Sequence, residues 1–405
     1  MAIFETGYDL LSPDYIRNTE HILKELARSE HRLVAANLHD KPVYIVADLQ
    51  LAKEIFEDGQ NFTFAPSGDD GAFTEGTQAF LEEGLESTLL SSSYEDYKRT
   101  RKLFNQAFKQ GYTDRARELD RFAKRHVEAL LDDSNPPTID VLDLCRRYWM
   151  PVIATVIGID SLPYADLIEL ADSARALVEG NGLQGDRDAI ERLAHANDTI
   201  VALIRQVAAT RDVPADSALG YFLSQLDLEA AIDIARTFIL GGIDTGSSAL
   251  ALQAHLLASD AQQRARFLAM PQQEQQTAMT ELASKETPTL YTPRFAVRDV
   301  RVDGIDIPAG SFLQLAVYGL NHCANPDFDV RRGDKSACPM HNNESLPFGH
   351  ARHKCPGEAL ARHLMPIFLD ALFRRFDVTA IRSCRKEPNT FARSIGELLL
   401  DVERR

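Results

Sequence analysis

The sequence has no run of eighteen apolar residues, so an ordinary membrane-spanning helix is not a reading it supports. Cysteine is scarce. Cys145, Cys323, Cys338, Cys355 and Cys384 are scattered along 405 residues and offer no disulfide framework, as in proteins of a reducing compartment. Met1–Tyr15 lacks a signal-peptide pattern, and the expectation is a cytoplasmic protein with no membrane contact. No Gly/Ser-rich or Pro-rich linker, repeat or low-complexity tract divides the chain. Residues 1–405 therefore read as a single large domain, although that length would ordinarily suggest two or three. Positive charge is in deficit: 44 Lys and Arg stand against 60 Asp and Glu, a net charge of −16 that argues against general nucleic-acid binding.

What is present is mostly helical pattern with a few strands. Pro42–Ala47 reads as a strand followed by a helix over Asp48–Glu57, and Arg32–Ala36 is a weaker strand candidate. Tyr291–Val297 and Val302–Ile307 read as further short strands, with Asp303-Gly304 and Pro308-Ala309-Gly310 as turns. Most of Thr113–Leu257 is helical by periodicity.

Two segments carry chemistry. The first, Phe348–Gly357, sets Cys355 before the helix that begins EALARHL. A thiol there feels the positive helix end and its free N–H groups, which favour thiolate; Arg352 and Lys354 add to that bias. Pro356 suits the first helical position and Glu358 the first turn. Such a thiolate is a nucleophile, a zinc ligand or the axial ligand of a heme. Zinc is a real alternative on local sequence, because Cys338, His341, His350, His353 and Cys355 have knuckle-like spacing. The second segment, Leu228–Ala258, is a long apolar run without proline that suits a helix through the middle of a domain. Gly241 and Gly242 at its centre weaken a helix by roughly 1 kcal/mol each. They fit either a packing notch for another helix or a thin backbone against a large flat ligand.

Together the segments resemble the cytochrome P-450 family. In its cysteine-loop pattern F-x-x-G-x-H-x-C-x-G, Phe348, His353, Cys355 and Gly357 match, Ala351 replaces the first glycine, and Ala359, Ala361 and Arg362 match the continuation. Gly241-Gly242-Ile243-Asp244-Thr245 resembles the oxygen-binding helix signature. Tyr97-Lys98-Arg99-Thr100-Arg101 is similar to the helix pattern H-x-x-x-R with tyrosine for histidine, and Thr292-Pro293-Arg294 to the strand that supplies a second propionate arginine. The family's E-x-x-R is broken: Glu281 is present, but Ser284 stands in the arginine position. Lys285 is the candidate partner for Glu281, Arg331 or Arg332 the candidate compensation, and weaker heme retention or a rearranged proximal core the expectation.

The resemblance implies a mainly α fold with a small β-rich lobe, heme b as cofactor and Cys355 as the ligand to its iron. Arg101, Arg294, His353 and Tyr97 would anchor the propionates, while Thr245 and Asp244 would order water and relay protons. It implies a monooxygenase that inserts one atom of O2 into a small apolar or amphipathic molecule. Electrons would come from a ferredoxin or flavodoxin and its NAD(P)H-dependent reductase, docked on Lys98, Arg99, Arg101, Lys102, Arg352 and Lys354. A peroxide-driven or redox-neutral enzyme, and a non-catalytic heme-sensing or recruitment protein, are the alternatives. Substrate candidates by the same resemblance are Phe64, Phe73, Phe80, Leu85 and Leu89, with Leu177 and Leu183 above them. Phe238, Ile239, Phe295, Val297 and Ile395 are expected closer to the heme.

Overall fold

The structure is a computed structural model that describes residues 4–38, 41–64, 94–132, 137–179, 187–210, 213–331, 345–387 and 391–405. The first part alternates β1 (Phe4–Asp9), α1 (Pro13–Arg28), β2 (Leu33–Leu38), β3 (Lys41–Val46), α2 (Leu49–Glu57) and β4 (Phe62–Thr63). Helices then dominate: α3 (Tyr94–Phe108), α4 (Ala116–Asp132), α5 (Val141–Ile157), α6 (Tyr164–Glu179), α7 (Arg187–Thr210) and α8 (Ala218–Gln225), with a short β5 (Thr138–Asp140) before α5. They lead into the long α9 (Leu228–Ser259), then α10 (Ala261–Leu268) and α11 (Gln272–Lys285). The chain continues through β6 (Thr292–Ala296), β7 (Val300–Val302), β8 (Ile305–Ile307), β9 (Phe312–Leu315) and α12 (Val317–Ala324). The cysteine loop, α13 (Glu358–Arg375), β10 (Phe376–Glu387) and β11 (Ser394–Arg404) complete it.

The expected mainly α fold with a small β-rich lobe is what forms. A six-stranded sheet of order β1-β2-β3-β9-β6-β4 is covered on both faces. Val34, Ala36, Val43 and Ile45 point toward α1, whereas Leu33, Tyr44 and Val46 point toward α2, the two-residue alternation of a doubly buried sheet. Val302–Ile307 proves to be a hairpin of two strands, with Asp303 (φ 51°) and Gly304 (φ 82°) in its turn. The sequence reading did not identify β1, β4, β5, β9, β10 or β11. The last two pair antiparallel over Phe376–Arg404 and take β5 as a third strand.

Aspartate caps fix the helices that matter most. Asp227 starts α9 by accepting from the Ala230 N–H at 2.9 Å. Asp260 ends it and starts α10, accepting from Gln262 and Gln263 N–H at 2.9 and 3.0 Å. Between them α9 is buried on nearly every side, so tertiary packing rather than propensity carries its central glycines.

One buried cation ties the sheet lobe to the helical core. The Arg393 guanidinium lies 2.6 Å from Glu286 Oε2 at the end of α11 and 3.0 Å from Glu20 Oε1 on α1. It donates to Thr287 O at 3.0 Å and stands over the Tyr318 ring at 4.2 Å. Burial pushes the Glu20 carboxyl up, but attraction to Arg393 and Lys386 overrides it and holds the group at about 2, against 4.5 normally. Glu20 therefore contributes its full stability above pH 4.5 and loses it as pH falls toward 2. Arg393→Met strands two carboxylates and is expected to cost about 3–5 kcal/mol in urea unfolding. Glu20→Gln should flatten the acid limb of stability between those pH values; an unchanged limb would refute the assignment.

Candidate active site

A cavity of about 470 Å³ separates α9 from the cysteine loop and α13. Gly241, Asp244 and Thr245 face it from one side, and Cys355, Gly357 and Ala361 from the other.

The cysteine loop is built by main-chain bonds. Cys355 N–H donates to Phe348 O at 2.8 Å, and Lys354 N–H to Ala351 O at 3.1 Å. Ala351 takes φ +53°, the left-handed conformation that the resemblance fills with glycine and that costs a side chain roughly 1–2 kcal/mol. Other elements clamp the loop from outside. The Tyr97 hydroxyl donates to Arg352 O and Arg101 Nη2 to Lys354 O at 2.9 Å, both from α3. From the sheet side, Arg352 Nη2 donates to Phe62 O at 3.1 Å, and His350 Nε2 lies 2.7 Å from Glu57 Oε1.

These contacts correct the sequence reading of the thiol. Pro356 precedes the helix, Gly357 is the N-cap and α13 begins at Glu358. The Gly357 and Glu358 N–H groups do favour a charged sulfur, but burial outweighs them and raises the thiol above its usual 9.0. Lys354 is spent on Glu358 at 2.6 Å and Arg352 on Phe62; Arg101 is the cation that acts on the sulfur. A bound metal cation would reverse that balance. Cys338 and His341 lie outside the described residues, and among the described residues no group of three His, Cys, Asp or Glu can hold a metal ion.

Beside the sulfur lies positive charge that needs an anion. Arg294 is 1% exposed, and its Nη1 donates to Pro293 O at 2.7 Å. Its Nη2 has no partner among the described residues. It stacks over Phe56 at 4.6 Å and over Phe64 at 5.7 Å. Burial, then the Arg352 charge, press this guanidinium down to about 9. His353, with its ring 4.5 Å from Tyr97, is pressed to about 3 by burial and by Arg294, Arg352 and Arg101. Arg101, Tyr97 and His353 line the cavity, and Arg294 sits one layer behind. An orphaned buried N–H in a cluster of cations fits a ligand with carboxylates.

On the opposite wall the two glycines divide the roles left open above. A side chain on Gly241 would meet nothing within 4 Å, whereas one on Gly242 would press Ile153 at 3.3 Å. Gly241 keeps the helix thin toward the cavity, and Gly242 is the packing notch. Asp244 is held by Arg175 of α6, whose Nη2 and Nε donate to Oδ1 at 2.7 and 3.0 Å. Arg175 and Trp149, which also borders the cavity, were missed; each reaches the site from a helix with no motif of its own.

Several expected contacts fall elsewhere. Phe64, Phe238 and Phe295 line the cavity, Phe238 within a nest where it stacks on Phe104 at 4.0 Å. Ile239 and Ile395 are fully buried away from it, and Val297 is 40% exposed at the surface. Phe238 and Ser394, the neighbours of Ile239 and Ile395, take the cavity positions instead. Phe73, Phe80, Leu85, Leu89 and Leu183 lie outside the described residues, as does the side chain of Leu177 on α6. In the broken E-x-x-R, Glu281 Oε2 accepts from Asn325 Nδ2 at 3.0 Å, and Ser284 is buried with its hydroxyl unpartnered among the described residues. Lys285 does not pair with Glu281; burial lowers it, and Glu286 is the chief opposing charge. Arg331 is exposed and Arg332 lies outside the described residues.

A mainly α chain with one cysteine beneath a glycine-thinned helix is the architecture of a heme-thiolate protein. Comparison with known proteins agrees. A sequence model of the family Cytochrome P-450 matches residues 285–400. Cytochrome P-450 FAS1 of Rhodococcoides fascians is 27% identical over 90% of this chain and 91% of its own. The C-19 steroid 1alpha-hydroxylase of Sorangium cellulosum (strain So ce56) is 28% identical over 75% of this chain and 77% of its own. Among solved structures, epothilone D-bound cytochrome P-450epoK covers 98% of this chain and 100% of its own with a TM-score of 0.80 at 20% identity. The chain belongs to the cytochrome P-450 family and is a monooxygenase of that family, with heme as its cofactor.

Ala351→Gly should relieve the left-handed strain and stabilise the protein by about 0.5–1 kcal/mol net of the glycine entropy. Urea unfolding measures it. A loss of stability would show that the surrounding clamps, not the loop backbone, set the conformation.

Proposed function

We propose that this protein is a heme b monooxygenase that hydroxylates or epoxidises a small apolar or amphipathic organic molecule with O2. Its electrons come from a separate ferredoxin or flavodoxin and its NAD(P)H-dependent reductase, and residues 1–405 act as one cytoplasmic domain. The observation that carries this reading is that Cys355 and the Asp244–Thr245 pair face one cavity from opposite walls. Heme held there by Cys355 would supply dioxygen binding and activation. Arg101, Tyr97 and His353 on the cavity wall would answer its two carboxylates, with the buried charge of Arg294 one layer behind them.

The remaining work falls to the chain's own groups. Thr245 orders a water molecule beside Gly241, where the bare backbone leaves room. Asp244 hands protons inward by exchanging its bond to Arg175 for one to that water. Phe56, Phe64, Phe104 and Phe295 keep bulk water away and give the cavity its apolar walls. Lys98, Arg99 and Lys102 on α3 and Lys354 in the cysteine loop are exposed on the side of Cys355, a positive patch on an acidic protein suited to an acidic electron donor. Arg101 leaves that patch, because it turns inward. Relatives named as hydroxylases of a C-19 steroid and of vitamin D3 agree with an amphipathic substrate.

The Arg175–Asp244 pair favours O2 over a peroxide-driven reaction, which needs no proton relay. With a substrate found by its shift of the Soret band, Thr245→Ala should divert reducing equivalents into released hydrogen peroxide, with a loss of coupled product on the order of a hundredfold for one positioned proton-transfer group. Unchanged coupling would sink the relay. Failure of the purified protein to show the red-shifted thiolate–heme–carbon monoxide band would instead move the non-catalytic reading forward.

A further inference from the structure

The sequence contains one tryptophan, Trp149, and it sits against the turn of α9 that carries Asp244 and Thr245. Two pairs of residues, each four apart, make that contact: Trp149 and Ile153 on α5 enter a notch formed by Gly242 and Gly246 on α9. The fit leaves no room for a side chain. A Cβ on Gly246 would lie 2.0 Å from Trp149 Nε1, and one on Gly242 would lie 3.3 Å from Ile153. The ring is 2% exposed, and its Nε1–H donates to Gly242 O at 2.7 Å.

That carbonyl has a regular helical partner, the N–H of Gly246. An outside donor on the same oxygen makes a shared bond and loosens the ladder at this turn, a recognised cause of local helix distortion. The turn it closes holds both groups assigned to proton delivery. On one face Gly241 is bare toward the cavity; on the other Gly242 and Gly246 are locked to α5. Arg175 holds Asp244 only through its carboxylate, so the backbone rotation of the turn is left to the indole.

We propose that Trp149 is a positioning residue of the oxygen-activating turn. Its N–H, fastened to Gly242 O, sets the pitch and rotation of residues 242–246 and so aims Thr245 and Asp244 into the cavity. The role rests on the monooxygenase reading, but the contact itself can be read without a substrate and without turnover.

Because the indole is single, holoenzyme labelled with [15N]tryptophan gives one indole N–H signal. In the reduced carbon monoxide complex that proton is expected to exchange slowly with D2O, and rapid exchange would show that the bond does not exist in solution. Carbon monoxide then serves as the probe of the turn, since its infrared stretching band responds to the polar groups around it. Trp149→Phe removes the donor, and Gly246→Ala evicts the ring from the other side; both should shift or broaden the band while the thiolate-type Soret band stays in place. Replacing Trp149 biosynthetically with β-(3-benzothienyl)alanine deletes the N–H and keeps the shape, and it should move the band as Trp149→Phe does. A band moved by phenylalanine but not by the benzothienyl ring would reduce Trp149 to a space-filler and overturn the proposal. So would a band that none of the changes moves. Loss of the thiolate-type Soret band in the unaltered protein is a separate result, and it would fell the functional reading on which this role depends.

Discussion

The constraint that organises this molecule is that one helix must run unbroken through the core while presenting polar chemistry on a single face. α9 meets it by packing rather than by propensity. Glycines that would weaken a surface helix are held because Trp149 and Ile153 fill the space their missing side chains leave. Everything around the cavity takes its position from that roof: α5 locks its back, α6 reaches its aspartate, and α13 with the cysteine loop forms the floor.

The floor is governed by electrostatics that the protein alone does not balance. Positive groups gather beside Cys355, and burial disfavours charge on both Arg294 and the sulfur. A dianionic ligand that carries a metal cation resolves both conflicts at once, since its carboxylates meet the guanidinium groups and its metal stabilises the thiolate. The folded chain is in that sense half of an electrostatic pair.

Residues whose chemistry is local were legible in the sequence. Cys355, Gly357 and the Gly241–Thr245 run announce themselves because a single turn of chain brings the needed atoms together. The strands of the sheet were legible where two-sided burial makes a short apolar run, as in Val43–Val46. Long β10 was not, because its exposed residues, Asp377, Thr379, Ala380, Arg382, Arg385 and Lys386, leave no apolar run. Partners supplied by distant elements left no local trace: Arg175, Trp149 and Asn325 are ordinary residues until the fold sets them beside Asp244, Gly242 and Glu281. Ile239 and Ile395 failed for a narrower reason, since each neighbours a residue that does face the cavity. Hydrophobic pattern says that a residue is buried, not which of two buried surfaces it joins.

The broken E-x-x-R shows how a fold can lose a buried arginine and keep its core. An arginine at position 284 would bring a charge into a site that here holds a small side chain, 1% exposed. Glu281 accepts from the neutral amide of Asn325, which links α11 to the residue that ends α12. The strong buried cation of this region stands at Arg393, reaching Glu286 where α11 ends and Glu20 across on α1. Both arrangements tie α11 to its neighbours through a carboxylate on or next to that helix. Here the Arg393 cation braces the junction of α11 with the sheet lobe. The cysteine loop is held from α3 by Tyr97 and Arg101, whose bonds end on its main-chain oxygens and do not depend on the side chains the loop carries, while the loop's own Arg352 reaches out to Phe62 O.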